Sequence, residues 1–136
     1  MYRKAMLFGD VASAGKILRA ATLADIGNMA TWDTKQKQIK KLGRDVTPFD
    51  DFRWQEHRVH IVTDGLRLKF TQNQHLKDFL INTKGTIAEA SPRDLIWGIG
   101  YGKTNPNAQD PKKWRGMNLL GQCLMQVRDE LADQLP

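Results

Sequence analysis

Apolar residues recur at helical spacing over most of the chain. Val11, Ala14, Ile17, Leu18 and Ala21 mark one helix, with Asp10 placed to cap its first turn. Residues 22–33 mix glycine, asparagine and threonine and read as a connection or a broken helix. Thr34 then opens a lysine-rich segment in which Ile39 and Leu42 form the apolar pair and Gly43 a natural stop. Thr47-Pro48 signals the next helix start, with proline near the first turn. Residues 50–71 fit one long helix whose Phe52, Val59, Ile61, Val62, Leu66 and Phe70 fall largely on one side, with a kink allowed at Gly65. Asn73 is placed to cap a further helix that carries Leu76, Phe79 and Leu80 and ends at Lys84-Gly85.

The period then changes. Thr86-Ile87-Ala88-Glu89-Ala90 is too short and too alternating for a helix and is predicted as a strand; residues 96–101 are a second candidate strand. Ser91-Pro92-Arg93-Asp94 between them has turn chemistry. The last helix has the clearest period: Leu119, Cys123, Val127 and Leu131 repeat every four residues, with Leu120 and Leu124 beside them. Cys123 is therefore expected in the core as a small hydrophobe. Together these elements predict an α+β fold, predominantly helical with a few short strands, in a single domain over residues 1–136.

Composition narrows the setting. A chain of 136 residues is long enough for one real core and leaves little room for a second. No apolar run is long enough to span a membrane, so no membrane partner is expected. The opening MYRKAMLFGD lacks a full apolar signal region and a cleavage site. One cysteine cannot form an internal disulfide, which suits a reducing compartment, and the cytoplasm is the expected location. A net charge of +6 favours anionic partners. The densest basic patch, KQKQIKKLGR at residues 35–44, reads as a solvated helix face or as a phosphate-binding surface.

The stretch EASPRDLIWGIGYGKTN, residues 89–105, raises three chemical readings. A phosphate loop needs glycine five residues before the glycine of Gly-Lys-Thr, and Trp97 stands there. The dinucleotide fingerprint places Gly98 and Gly100 correctly but meets Lys103 at its third glycine. Metal binding is equally poor: His57 and His60 lie three apart beside Glu56, not four apart as on a zinc-protease helix. No metal and no cofactor is expected. The acids around Trp97 remain. A carboxylate near an indole can be partly desolvated, which fits it for proton transfer. The residues alone favour a plainer role, with Glu89 capping a helix and Asp94 stabilising the turn.

EASPRDLIWGIG, followed by WRGMNLLGQCLMQVR at residues 114–128, closely resembles the NADAR superfamily, also called YbiA-like. KAMLFGD at residues 4–10, KKLGRDV at 40–46 and KFTQNQHLKDFL at 69–80 fit the same family in the same order. The resemblance covers essentially the whole chain and implies a YbiA-like domain with N-glycosidase activity. Such enzymes hydrolyse a ribose carbon–nitrogen bond, either in phosphorylated riboflavin-pathway intermediates or in ADP-ribose attached to guanine. It points to Lys4, in the first motif, as a nucleophile able to form a Schiff base with the opened ribose. Asp94 is then the candidate acid/base and Glu89 a supporting carboxylate, because positive charge builds on the ribose as the bond breaks.

Trp97 is read as stacking on the base or excluding water. Gly98 and Gly100 would admit backbone amides close to substrate. Arg44 is the candidate phosphate contact and Lys41 a weaker one. Trp114 and Asn118 either shape the pocket or, for the asparagine, cap the last helix. The implied partners are a phosphorylated ribosyl or ADP-ribosyl substrate and, through modified guanine, ADP-ribosylated nucleic acid.

Two departures from the family stand out. Met1 comes three residues before Lys4, so the family's usual N-terminal segment, with a glutamate shortly upstream of the lysine, has no counterpart here. The connection over residues 23–38 is longer than usual. The missing glutamate motivates one alternative, a catalytically impaired module that binds ADP-ribose or a nucleotide. The basic patch motivates another, a small nucleic-acid-binding protein with steep salt dependence.

Overall fold

The computed structural model describes residues 1–22 and 29–134. The chain divides into two compact units, Met1–Ile61 and Val62–Pro136. The first unit holds α1 (Tyr2–Leu7), α2 (Val11–Thr22), α3 (Met29–Arg44) and the opening turns of α4 (Asp51–Thr71). The second holds the rest of α4, α5 (Gln74–Ile81), two short 3₁₀ turns at Pro106–Gln109 and Pro111–Lys113, and α6 (Leu119–Ala132).

The first unit closes around Ala5, Phe8, Ala14, Ile17 and Val46, with Leu7, Ile39, Leu42 and Trp54 packed against them. Asp10 caps α2 as its position predicts: one carboxylate oxygen accepts the Ser13 N–H at 2.9 Å. The other accepts the Thr47 N–H at 3.0 Å, tying the start of α2 to the chain that enters α4. These bonds, those from Ser13 foremost, hold the Asp10 carboxyl below its ordinary pKa. The lysine-rich segment lies within α3, which begins before Thr34 and ends one residue past Gly43. The remainder of the expected connection, residues 23–28, lies outside the described residues.

α4 runs unbroken through Gly65. Pro48 does not sit in its first turn: Asp50 caps the helix instead, accepting the Arg53 N–H at 2.7 Å, and the helix begins at Asp51. Its apolar residues do not form a single buried stripe. Phe52 is 74% exposed and Val59 is also exposed, whereas Leu66 and Phe70 pack into the second core. The inward residues of its first half are Trp54, half-buried, and Arg58, buried one turn later.

In the second unit Phe70, Leu80, Val127 and Leu131 form the core, joined by Leu66, Leu76, Ile87 and Leu124. Leu119, Cys123, Val127 and Leu131 are all buried along one face of α6, as their four-residue repeat predicts. Arg67 of α4 grips Glu130 of α6 with two nitrogens, at 2.9 and 3.1 Å, and Asp64 with a third at 2.7 Å. Asn73 precedes α5 at the cap position, but its side chain bonds backward, donating to the Lys69 carbonyl. α5 ends at Ile81, before the expected Lys84-Gly85.

The α+β expectation is wrong: among the described residues there is no strand. The alternation at residues 86–90 corresponds to a chain without a strand partner. Its inter-strand role is taken by one side chain. The Asn118 carboxamide donates to the Ile87 carbonyl at 2.9 Å and accepts the Glu89 N–H at 3.0 Å, the pair of bonds that a residue of a neighbouring strand would supply. Residues 96–101 fail as a strand for a related reason. Their carbonyls serve the start of α6: Ile96 accepts from Leu119 at 3.1 Å, Trp97 from Leu120 at 3.2 Å and Gly98 from Asn118 at 3.0 Å. The open N–H groups of a helix start are thus met by a loop rather than by a side-chain cap.

Candidate active site

Three of the residues singled out in the sequence lie in the first unit, and Lys4 has the most distinctive surroundings. Its half-buried Nζ donates to the Gly43 carbonyl at 2.7 Å. It also lies 4.5 Å from the centre of the Phe49 ring and 5.5 Å from that of Trp54. Gly43 belongs to the last turn of α3, whose carbonyls have no partner within the helix. Carbonyl and ring faces favour the ammonium, whereas burial among apolar groups favours the neutral amine. Burial prevails, and the Lys4 pKa is lowered from its ordinary 10.5. Arg44 follows Gly43 directly and is exposed. Lys41 is exposed and paired with Asp45 at 2.6 Å, one helical turn away.

Beside this niche lies a hollow of about 620 Å³. Phe8, Phe49 and Phe52 wall it, and Arg53, Glu56 and His57 bring polar groups to it. Phe8 and Phe49 form a tilted ring pair at 5.1 Å, so the ring that faces Lys4 is itself held in place. Sequence reasoning missed Phe49 and Trp54 entirely, and it set Glu56 aside with the histidines. The available signal was two phenylalanines in the polar stretch Pro48-Phe49-Asp50-Asp51-Phe52.

The other seven residues lie in the second unit, where one hydrogen-bonded knot draws most of them together. One oxygen of Asp94 accepts the Ile96 and Trp97 N–H groups at 3.0 and 2.8 Å, the turn-stabilising role that the sequence allowed. Glu89 has an exposed side chain, and its carbonyl accepts the Ile99 N–H at 3.0 Å. Trp97 is half-buried. Gly98 is packed so closely that a Cβ would lie 2.9 Å from the Asp94 carbonyl and 3.1 Å from that of Glu89. Gly100 has a φ of +74°, the left-handed region, and its carbonyl accepts from the Arg115 guanidinium. Both glycines thus serve the chain's own close packing.

Asn118 is buried and is itself left-handed at φ 52°. It precedes α6 at the cap position but makes no side-chain cap, because its carboxamide holds the 87–89 segment. Trp114 donates its indole N–H to Ala108 at 3.0 Å. It lines a separate hollow of about 330 Å³ with Thr86, Ala88 and Lys103.

Comparison with known proteins places the chain in a family. The model of the NADAR domain matches residues 1–132. The mimivirus protein N-glycosidase R617, from Acanthamoeba polyphaga mimivirus, is 43% identical over 131 residues, which cover 96% of this chain and 69% of that protein. Protein irg-1 of Caenorhabditis elegans is 35% identical over 134 residues, covering 96% of this chain and 57% of the nematode protein. Riboflavin biosynthesis protein VVA0006 of Vibrio vulnificus is 31% identical over 136 residues, covering 99% of this chain and 30% of the bacterial protein. Matched along almost its whole length, the chain belongs to the NADAR domain family.

Proposed function

We propose that the protein is an N-glycosidase that breaks the bond between a ribose carbon and the nitrogen of a base or amine, with Lys4 as nucleophile. The observation that carries the reading is the setting of Lys4: a half-buried amine, lowered in pKa by burial, against two aromatic rings. The names of the mimivirus and Vibrio relatives, an N-glycosidase and a riboflavin biosynthesis protein, support the reaction class. The substrate in this reading is a phosphorylated ribosyl or ADP-ribosyl compound, including ADP-ribosylated guanine in nucleic acid. The free thiol of Cys123, buried in α6, accords with a reducing, cytoplasmic setting. Among the described residues no helix is long and apolar enough to cross a membrane.

The neutral Lys4 amine attacks the anomeric carbon, the carbon–nitrogen bond breaks, and the base leaves with a proton supplied by an acid. The nitrogen that now joins Lys4 to the sugar loses its own proton, and ring opening gives a Schiff base. Water adds to that carbon and releases the sugar and the free amine. In this scheme Asp94 is the acid/base and Glu89 a supporting carboxylate. Arg44 is the main phosphate contact. Lys41 is the weaker one, because it must first leave Asp45. Trp97, Gly98, Gly100, Trp114 and Asn118 shape the site.

Borohydride trapping tests the proposal. Wild-type protein incubated with a ribosylamine phosphate or an ADP-ribosylated guanine substrate should gain the mass of the reduced sugar adduct, and Lys4→Ala protein should not. No adduct and no released base from either substrate class would end the reading.

A further inference from the structure

A second concavity of the first unit, about 300 Å³, lies between α2 and α3 and is lined by Lys16, Arg19, Ala20, Lys35, Gln38 and Leu42. Three of those six side chains are cations, and no carboxylate stands on the lining among the described residues. Elsewhere on α3 the lysines are neutralised locally: Lys37 pairs with Asp33 and Lys41 with Asp45, each at 2.6 Å. Lys16, Arg19 and Lys35 pair with no carboxylate among the described residues. Asp10 feels the charge of Lys16, but its two oxygens are already taken by the Ser13 and Thr47 N–H groups. Like charges gathered at one hollow without counter-charges favour an anion there.

The arrangement also says which anion. A Cβ at Gly15 would lie 3.8 Å from one terminal nitrogen of Arg19 and 4.0 Å from the other. The guanidinium therefore lies back along α2, over the turn that carries Lys16. Lys35 faces it from α3, where it is half-buried, and Gln38 one turn later adds an amide donor. Donors thus converge from two helices, so a phosphate that enters meets them on two sides, whereas the flat headgroup plane of a membrane would meet only the rim. A bound peptide needs pockets for its side chains, and the only apolar lining here is Ala20 and Leu42. Phosphates of a nucleic-acid strand need no such pockets and are bound by arginine, lysine and amide donors together. The hollow is also apart from the candidate nucleophile. Lys35 and Gly43, whose carbonyl holds Lys4, are eight residues apart on α3, about 12 Å along its axis.

We propose that the α2–α3 hollow is a backbone-phosphate site at which Lys16, Arg19 and Lys35 hold a nucleic-acid strand. The assignment goes beyond the N-glycosidase reading and does not depend on it, since an unmodified strand has no bond for Lys4 to break.

Binding of a labelled, unmodified single-stranded DNA oligonucleotide to the full chain, followed by fluorescence anisotropy from about 50 to 200 mM salt, tests the proposal. The triple variant Lys16→Gln/Arg19→Gln/Lys35→Gln should bind about tenfold or more weakly, with a salt slope shallower by about 2. Each single glutamine variant should lower the slope by about 0.7, which carries the test should the triple variant fail to fold. Lys77→Gln/Lys84→Gln/Lys112→Gln, which removes the same charge from the second unit, should bind as wild type. Equal losses in the two triple variants would reduce the effect to net charge and overturn the site, as would wild-type binding that ignores salt. Three further probes name the other occupants: inorganic tripolyphosphate, polyglutamate and phosphatidylserine vesicles. Any of them binding as tightly as the strand, with the same dependence on Lys16, Arg19 and Lys35, would replace nucleic acid and overturn the proposal.

Discussion

The two units hold their notable residues by opposite means. In the first, Lys4 is held by packing: helices α1 and α3 and two aromatic rings surround an amine that donates a hydrogen bond to Gly43. In the second, Asp94, Trp97, Gly98 and Asn118 are held by hydrogen bonds among loop backbone. Packing desolvates a group and so alters its chemistry, whereas a hydrogen-bonded knot fixes positions by giving each polar group a partner. At Lys4 that effect is visible: its pKa is lowered from the ordinary value, and burial is the cause.

That contrast is open to attack at several points, and the largest expected effect is at Lys4. Lys4→Ala should lower turnover by on the order of a thousandfold or more, read as base release at saturating substrate. Lys4→Arg should not restore it, because a guanidinium keeps the charge but cannot act as a neutral nucleophile. Recovery in the arginine variant would make Lys4 a binding cation instead.

In the second unit the expected losses are of stability. A Cβ on Gly121 would fall inside contact distance of the Ile87 carbonyl and the Asn118 carboxamide. Gly121→Ala should therefore cost about 3 kcal/mol in denaturant unfolding. Asn118→Ala should cost about 2 kcal/mol, since it strips a donor and an acceptor from the 87–89 segment. If both variants unfold at the wild-type midpoint, the knot is not what orders this unit.

A subtler test concerns pH. Because burial lowers the Lys4 pKa, the neutral amine appears at lower pH than for a solvated lysine. The value of kcat/KM should rise with pH, with the midpoint of the rise below 10.5. Phe49→Ala, which admits water to the niche, should move the rising limb to higher pH. A shift to lower pH would mean that attraction to the ring outweighs desolvation. The smallest effect belongs to Lys41→Ala: its ion pair with Asp45 is exposed, so thermal stability should be unchanged while phosphate-bearing substrate binds only slightly more weakly.

Helices were readable wherever a period or a cap is written into neighbouring residues. Asp10 with Ser13, and Leu119 with Cys123, Val127 and Leu131, are cases where local spacing and tertiary burial agree. Reading failed where a backbone partner comes from far away in sequence. Nothing within residues 86–90 indicates that a side chain 29 and 31 positions beyond its partners will replace a strand. The exposure of Phe52 and Val59 was hidden for a similar reason, since a helical period shows which residues share a face but not where that face stays covered. Lys4 was legible only through family resemblance. Its niche is assembled from Gly43, Phe49 and Trp54, roughly forty to fifty positions along the chain, and no short motif encodes that.

The Asn118 carboxamide has a polarity that a purely apolar contact lacks. Its amide end faces a carbonyl and its oxygen faces an N–H, so it matches one alignment of the 87–89 segment only. Slide that segment by one residue and its backbone groups would turn to the other edge, leaving both ends of the carboxamide without a partner. The joint therefore works as a molecular ruler for chain length. A one-residue deletion between Gly85 and Ile87 should be poorly tolerated, whereas the exposed turn at residues 103–105, which lies outside that alignment, should accept an insertion with little loss.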